Sequence, residues 1–188
     1  MVRSRGWLSS LNELAAQNHG LVRTRDAVAA GIDPAWLAKL AKDGRLERKF
    51  HGIYVLSSWP IDDLTEFAIA SAWAGDDAAV GGEAALEVWR LSDAMPRWFD
   101  LVHADQLRLR KRGDGRYRLR KVDSDLWHST TEQGVRVLTP AAAIQDCIGL
   151  GVSSRTIRLA IEQAQRRELI SGRDAAYLTV ALDRRDRA

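Results

Sequence analysis

Six side chains that can bind an anionic ligand lie within one short stretch of this 188-residue sequence. They are Lys39, Lys42, Arg45, Arg48, Lys49 and His51. Lysine and arginine contact nucleic-acid phosphates, and both also pair with guanine in the major groove. The cluster therefore predicts a nucleic-acid contact if the elements that carry it place these cations on one surface.

A helix with both ends specified carries the first two of these cations. In DPAWLAKLAKDG, residues 33–44, the Asp33 side chain can accept the unpaired amide hydrogens at a helix start. Pro34 suits the first helical position, and Gly44 can adopt the left-handed conformation that ends a helix. The segment therefore predicts a helix between Pro34 and Gly44.

The two sides of this helix differ in chemistry. Leu37 and Leu40 share one side and are expected in the core. The opposite side carries Ala35, Lys39 and Lys42. A small alanine allows close approach to a major groove, where the two lysines would meet phosphates or base edges.

Two segments precede this helix. WLSSLNELAAQNHG, residues 7–20, predicts a helix ended by glycine, and LVRTRDAVAAG, residues 21–31, predicts a short extended piece and a second helix. The tight AGID link to the third helix is typical of a helix-turn-helix. Arg23 and Arg25, at the start of the second helix, are expected near the DNA backbone. For Trp36, the sequence favours a role at the edge of the core over a contact with DNA, and both roles stay open.

A hairpin is predicted directly after the third helix, in RLERKFHGIYVL, residues 45–56. Leu46 and Phe50 alternate with charged residues, and the IYVL segment consists of strong strand formers. His51 and Gly52 would form the two-residue turn. As a wing, this hairpin would place its cations on the phosphate backbone. A solvated hairpin that only packs on the core is the alternative.

Several motifs of the chain share the spacing of a known family. They are Gly20-Leu21-Val22, Ala30-Gly31-Ile32, Leu37, Leu40, Gly44-x-Leu46, Arg48 and Gly52-x-Tyr54. In these motifs the chain resembles the N-terminal winged helix of AbiEi antitoxins, from type IV abortive-infection toxin–antitoxin systems. The segments VGGEAALEVWRL and GVRVLTPAAAIQDC are similar to further motifs of the family. Ala84 and Ala142 depart from it, because serine and arginine are frequent at these two positions.

The resemblance implies an antitoxin that is also a transcriptional autoregulator. Its winged domain would bind double-stranded operator DNA and repress its own operon. Its C-terminal domain would help to neutralise a nucleotidyltransferase-like toxin encoded beside it. A stand-alone winged-helix regulator without a toxin partner, and an enzyme that modifies the toxin covalently, remain the alternatives.

A second basic block follows in QLRLRKRGDGRYRLRKV, residues 106–122. Apolar and basic residues alternate on both sides of a Gly-Asp-Gly turn, which predicts a hairpin with one arginine face. That face holds Arg108, Arg110, Arg116, Arg118 and Arg120. Like charges that face each other destabilise a hairpin, so an acidic partner is expected. The acidic middle segment of the chain, a toxin surface and nucleic acid are the candidates, and a solvated face is the alternative.

The composition limits the class of protein. Hydrophobic residues make up 46% and charged residues 28%, an ordinary globular balance. Residues 61–105 hold ten acidic residues against two basic ones, whereas residues 1–60 and 106–136 are basic, which predicts surfaces for different partners. No apolar stretch reaches the roughly 20 residues that span a bilayer, and no signal peptide is recognisable, so no membrane partner is expected. A single cysteine, Cys147, fits a reducing cytoplasm.

No set of residues in the sequence forms a known catalytic motif. The chain lacks the phosphate loop G-x-x-x-x-G-K-(S/T), the zinc motif H-E-x-x-H, the nucleophile elbow G-x-S-x-G and the kinase motifs. Asp123-x-Asp125 is a candidate metal ligand pair, but a polar turn explains it better. We therefore expect no catalytic residue, no metal site and no cofactor, and we expect that the protein is not an enzyme.

These observations together predict an α/β (α+β) protein of two domains. Residues 1–58 would form a winged helix-turn-helix, and residues 61–188 a mixed domain of helices and a small sheet. The expected partners are operator DNA and a toxin, in the cytoplasm.

Overall fold

The computed structural model describes residues 3–60, 62–92, 98–103, 115–123 and 128–188. The chain divides into two compact units, Met1–Trp73 and Ala74–Ala188. The predicted domains differ from these units in the placement of residues 59–73, and the predicted boundary stays a prediction. Both units mix helices with a small sheet, which confirms the predicted α+β class.

The first unit is a winged helix-turn-helix, as predicted. Its elements are α1 (Arg3–Gln17), β1 (Leu21–Arg23), α2 (Thr24–Ala29), α3 (Pro34–Lys42), β2 (Leu46–Phe50) and β3 (Ile53–Leu56), followed by α4 (Thr65–Ala74), which ends at the boundary. The strands form an antiparallel sheet in the order β1-β3-β2. Strand β1 therefore joins the hairpin β2–β3 to the start of α2.

One apolar cluster holds the helices of this unit on its sheet. Leu11 of α1, Leu37 and Leu40 of α3 and Leu46 of β2 are buried together with Tyr54 of β3. Removing such leucine side chains from water stabilises the fold by about 1.5–3 kcal/mol each. The amphipathic pattern of α3 thus fixes which of its sides faces solvent.

Contacts within the first unit explain why residues 59–73 belong to it. The Trp59 ring packs on Gly20, where a Cβ atom would lie only 2.5 Å from the ring, so a larger residue would displace the tryptophan. The His19 imidazole lies 2.8 Å from the Asp62 carboxylate. The Trp73 ring of α4 lies 6.2 Å from the Phe50 ring of β2. The segment after the hairpin is thereby packed on the winged fold.

The second unit combines a mixed five-stranded sheet with four helices in the described residues. Its elements are β4 (Ala79–Val80), α5 (Gly82–Val88), β5 (Phe99–His103), β6 (Tyr117–Lys121), β7 (Ser129–Glu132), β8 (Val135–Leu138), α6 (Pro140–Gly149), α7 (Ser154–Arg166) and α8 (Gly172–Arg187). The strand order is β6-β5-β4-β8-β7. The pairs β5–β6 and β4–β8 are parallel, and β4–β5 and β7–β8 are antiparallel.

Two helices, α7 and α8, close this unit. Ser171 and Asp174 exchange side-chain to backbone hydrogen bonds in a capping box at the start of α8. Ile157 of α7 and Leu178 of α8 are buried. Helix α6 begins at Pro140, and its Cys147 is a buried free cysteine. No helix in the described parts of the chain is both long and apolar enough to cross a membrane.

The predicted second hairpin is only partly covered by the structure. Its first arm, which includes Arg108 and Arg110, lies outside the described residues. Its second arm is β6, which pairs in parallel with β5. The neighbour of β6 within the described sheet is therefore a strand of the acidic middle segment.

Candidate nucleic-acid interface

Helix α3 has the ends and the sides that the sequence predicts. The Asp33 carboxylate accepts a hydrogen bond from the Ala35 amide at 2.8 Å, with Pro34 at the first helical position. Leu37 and Leu40 are buried, whereas the side of α3 that carries Ala35, Lys39 and Lys42 is exposed. The local capping and the buried leucines together present the two lysines to solvent.

Trp36 lies on the exposed part of α3, against α1. Its ring centroid lies 5.3 Å from that of Trp7, and the two ring planes differ by 25°. Trp7 itself is partly buried against the core cluster. The Lys39 ammonium lies 4.9 Å from the centroid of the Trp36 ring, within the range of a cation–π contact. Trp36 remains 42% exposed, so it covers the core edge without being buried.

The wing contains a bulge that sequence alternation did not predict. Arg48 is paired with Tyr54, and Phe50 is paired with Ile53, so Lys49 is an extra residue in β2. Such a bulge changes the side to which the following side chains point and increases the local twist. The Lys49 ammonium lies 2.7 Å from the Glu47 carboxylate.

The tip of the wing is organised by Arg48. Its Nε donates a hydrogen bond to the Phe50 carbonyl at 3.3 Å, and its Nη2 lies 3.1 Å from Nδ1 of His51. Gly52 has a φ of +72°, which a turn at this position requires and which favours glycine. Arg48 and His51 therefore lie together on the exposed tip.

Arg23 and Arg25 share one internal carboxylate. Nε of Arg23 lies 2.5 Å from one Asp26 oxygen, and Nε of Arg25 lies 3.6 Å from the other. Both arginines are at the start of α2, as predicted. Their charge is partly neutralised within the protein, which sequence spacing had not indicated.

Three cations of this region have neither a carboxylate nor a hydrogen-bond acceptor at their charged end among the described residues, whereas Arg48, which also lacks a carboxylate partner, bonds the Phe50 carbonyl. Among the described residues, no carboxylate lies at ion-pair distance from Lys39, Lys42 or Arg45. All three are exposed, on α3 or on the turn from α3 into β2. We call these residues the unpaired trio. An exposed cation without an internal partner keeps its full charge for an external anion.

The described arginines of the second basic block lie in different environments. Cζ of Arg118 lies 4.0 Å from the centroid of the Trp98 ring. Cζ of Arg116 lies 6.0 Å from the centroid of the Tyr117 ring. Both side chains are exposed. They are compatible with the predicted arginine face, which stays a prediction.

Arg120 does not fit the predicted arginine face, because its guanidinium is paired with carboxylates inside the protein. Its Nη2 donates to the Asp146 carboxylate, and its Nε lies 3.7 Å from Oδ1 of Asp100. The predicted candidates for an acidic partner were the acidic middle segment, a toxin surface and nucleic acid. The acidic middle segment does contribute a partner, Asp100, to Arg120. A partner surface in this region would therefore rest on Arg118 of β6 and on Arg116, which precedes the strand.

Asp146 is the centre of this cluster, which sequence analysis missed. It is only 4% exposed, and its Oδ2 accepts the Gly82 amide at 2.8 Å. A Cβ on Gly81 would lie 3.1 Å from the same oxygen, so the glycine allows the close approach. Gly82 lies in VGGEAALEVWRL and Asp146 lies in GVRVLTPAAAIQDC, the two segments that are similar to further motifs of the family. The presence of both residues in such segments was the sequence signal that could have pointed to this contact.

The cluster is electrostatically coupled. Burial raises the pKa of the Asp100 carboxyl, and the opposing charges of Arg120 and Arg118 only partly offset that effect. Burial likewise raises the pKa of the Cys147 thiol well above its ordinary value, which favours the unreactive protonated form. In the described ranges, His, Cys, Asp and Glu side chains do not come together in threes that could hold a metal ion.

Comparison with known proteins identifies a relationship for the first unit. Residues 9–57 match the sequence model of a family described as "Transcriptional regulator, AbiEi antitoxin". The chain is also similar to the solved structure of the RV2827C protein from Mycobacterium tuberculosis, at 16% identity and a TM-score of 0.46. That similarity covers 93% of this chain and 76% of the other. No curated protein matches the chain.

Proposed function

We propose that this chain, whose residues 9–57 match the model of the AbiEi antitoxin transcriptional regulator family, binds operator DNA upstream of its own gene and represses that operon. The observation that carries the proposal is the unpaired trio, Lys39, Lys42 and Arg45, on the exposed side of α3 and its turn into the wing. In a winged helix-turn-helix, this helix enters the major groove and the wing lies on the adjacent backbone.

The proposed interface assigns a role to each cation. Ala35 allows α3 to approach the groove, and Lys39 and Lys42 contact phosphates or base edges there. The wing cations contact the backbone; they are Arg45, Arg48, Lys49 and His51. Arg23, Arg25 and Lys49 contribute less, because Asp26 and Glu47 already offset part of their charge.

The test is fluorescence anisotropy with a duplex from upstream of the gene and a scrambled duplex of equal length. Affinity is measured over a salt series for the wild type, for Lys39→Ala and for an Arg48→Ala/Lys49→Ala double variant. We expect preference for the upstream duplex, a steep loss of affinity with salt, and weaker binding by both variants. Equal affinity for both duplexes would contradict operator binding.

We further propose that the chain neutralises a nucleotidyltransferase-like toxin encoded beside it and acts in the cytoplasm, where its DNA would be. The family description supports the antitoxin role. The proposed partner surface consists of the exposed Arg118 of β6, the exposed Arg116 just before that strand, and Arg108 and Arg110 outside the described residues. Such a surface would suit an acidic patch on the toxin.

Co-expression with the neighbouring gene tests this second part. Growth arrest by the neighbouring protein alone, relieved by this chain, is the expected result. No toxicity, or no relief, would favour a stand-alone winged-helix regulator. Relief with a mass increase on the toxin after incubation with this chain and ATP would instead indicate covalent modification.

A further inference from the structure

Trp36 is held in one position by a second aromatic ring. It is the third residue of α3, and its indole stacks on Trp7 of α1 at 5.3 Å between centroids. Because Trp7 is packed on the buried cluster of the first unit, the stack ties the Trp36 ring to the core. A ring on an exposed helix side is thereby fixed, although 42% of Trp36 is open to solvent.

Lys39 follows Trp36 by three residues, so the two side chains share one side of the helix. The Lys39 ammonium lies 4.9 Å from the centroid of the Trp36 ring. No carboxylate among the described residues lies at ion-pair distance from this ammonium. The described contact that restricts the lysine is therefore the aromatic ring.

A free lysine has a flexible four-carbon stem, and ordering it on binding reduces affinity. A cation–π contact at an exposed site is weak, yet it favours some lysine rotamers before any ligand arrives. The ammonium still has its three donor hydrogens for a phosphate or a base edge. The ring thus restricts the stem without neutralising the charge.

We propose that Trp36 is a positioning residue for Lys39 in the DNA interface, and that Trp7 holds the Trp36 ring in place. This inference rests on the proposed operator binding. It makes α1 part of the DNA-binding machinery, although α1 supplies none of the six cations. Loss of the ring is expected to weaken DNA binding through Lys39 alone.

The experiment is a double-variant cycle on the upstream duplex, with affinity measured by anisotropy over a salt series in the full chain. Trp36→Leu keeps an apolar side chain and removes the ring, and is expected to weaken binding about three- to tenfold. Trp36→Phe restores a ring and is expected to stay within about twofold of the wild type. Trp7→Leu is expected to act in the same direction as Trp36→Leu.

The decisive comparison uses two lysine backgrounds. In a Lys39→Ala background, adding Trp36→Leu should change affinity by less than about twofold, because the residue that the ring positions is gone. In a Lys42→Ala background, Trp36→Leu should keep its full effect. Thermal unfolding of each variant separates a loss of fold from a loss of binding, and Trp7→Leu in the same two lysine backgrounds preserves the test if Trp36→Leu is unstable.

The outcomes separate this inference from the proposed function. Wild-type protein with no preference for the upstream duplex would overturn operator binding, and the inference with it. Wild-type binding with equal Trp36→Leu effects in both lysine backgrounds would overturn the inference alone, since Trp36 would then act on DNA or on the fold independently of Lys39. Loss of the effect only in the Lys39→Ala background would establish it.

Discussion

The exposed side of α3 and the cluster around Arg120 use the same kind of side chain in opposite ways. Lys39, Lys42 and Arg45 are exposed and have no described carboxylate partner. Arg120 has a side chain that is only 25% exposed, and it lies against Asp100 and the buried Asp146. One region offers charge to an external ligand, and the other uses charge to join strand β6 to helix α6.

The difference shows that the number of basic residues in a segment does not locate a binding surface. A cation is available to an external anion only if the fold has not given it a partner. Removing one member of an exposed pair changes stability little, whereas removing one member of a buried pair leaves the other uncompensated. Mutations around Arg120 are therefore expected to change the free energy of unfolding, whereas mutations on the exposed side of α3 are expected to change the affinity for DNA.

The largest expected effect is on stability, from Arg120→Met. This change keeps an apolar stem but leaves the buried Asp146 carboxylate without its cation, which costs about 3–5 kcal/mol for a buried pair. Arg118→Met on the same strand is the matched control, because Arg118 is exposed over Trp98, and it should cost no more than about 1 kcal/mol. Urea unfolding of both variants measures the difference, and equal losses would contradict a special role for Arg120.

A second experiment tests whether Arg120 and Asp146 act as a pair. Asp146→Ala alone should also destabilise the protein, since Gly82 and Arg120 both lose an acceptor. The Arg120→Met/Asp146→Ala double variant should be more stable than the sum of the single losses implies, by about 1–3 kcal/mol. Additive losses in urea unfolding would mean that the two residues stabilise the fold independently.

A smaller effect, now on DNA binding, is expected from single exposed cations. Lys42→Ala should lower the slope of log affinity against log salt concentration by about one, because one phosphate contact is lost. Arg25→Ala should lower it by less, since Asp26 already lies 3.6 Å from that arginine. Salt titrations followed by anisotropy compare the two variants.

The same salt titration can also test a variant that is expected to bind DNA more tightly than the wild type. Asp26→Asn removes the Asp26 charge from beside Arg23 and Arg25 and should therefore tighten DNA binding and steepen the salt dependence. Weaker binding by a folded Asp26→Asn protein would show that the carboxylate serves to orient these arginines for DNA.

The smallest expected effect is the pH dependence contributed by Asp100. Burial raises its pKa above the ordinary 3.8, so the folded state holds the proton to higher pH than the unfolded state does. Its contribution to stability is therefore present at low pH and is lost as pH rises through the folded pKa. Asp100→Asn removes this loss, so the variant should gain stability relative to the wild type as the pH rises above about 4, and the gain should level off once the pH has passed the folded pKa.

Urea unfolding at several pH values measures that difference. Asp183→Asn is a suitable control, since Asp183 lies at the surface in an ion pair with Arg158. A stability difference between Asp100→Asn and the wild type that does not change with pH would contradict the raised pKa.

Helix α3 and the turn of the wing were predictable because their determinants are local. Asp33, Pro34 and Gly44 specify the helix ends within twelve residues, and Gly52 supplies the turn conformation. Each of these acts on the backbone next to it. The match of residues 9–57 to the family model confirms the resemblance that those local motifs carried.

Other parts of the candidate site depend on contacts that no local pattern contains. The bulge at Lys49 arises from the pairing of β2 with β3, and alternation in β2 alone predicts a regular strand. Trp7 and Trp36 are far apart in the chain and meet only because α1 and α3 pack on one core. The pairing of Arg120 with Asp146 likewise needs β6 and α6 to be adjacent.

The sequence by itself determined the winged helix-turn-helix, the exposed side of α3 and the positions of the cations, because capping, turn chemistry and amphipathic spacing act over a few residues. Only the tertiary structure decided which cations keep their charge for a ligand. Lys39, Lys42 and Arg45 keep it because no described acid is folded against them, whereas Arg120 loses it to Asp100 and Asp146. Ion pairing depends on distance and burial in three dimensions, and sequence spacing does not encode either.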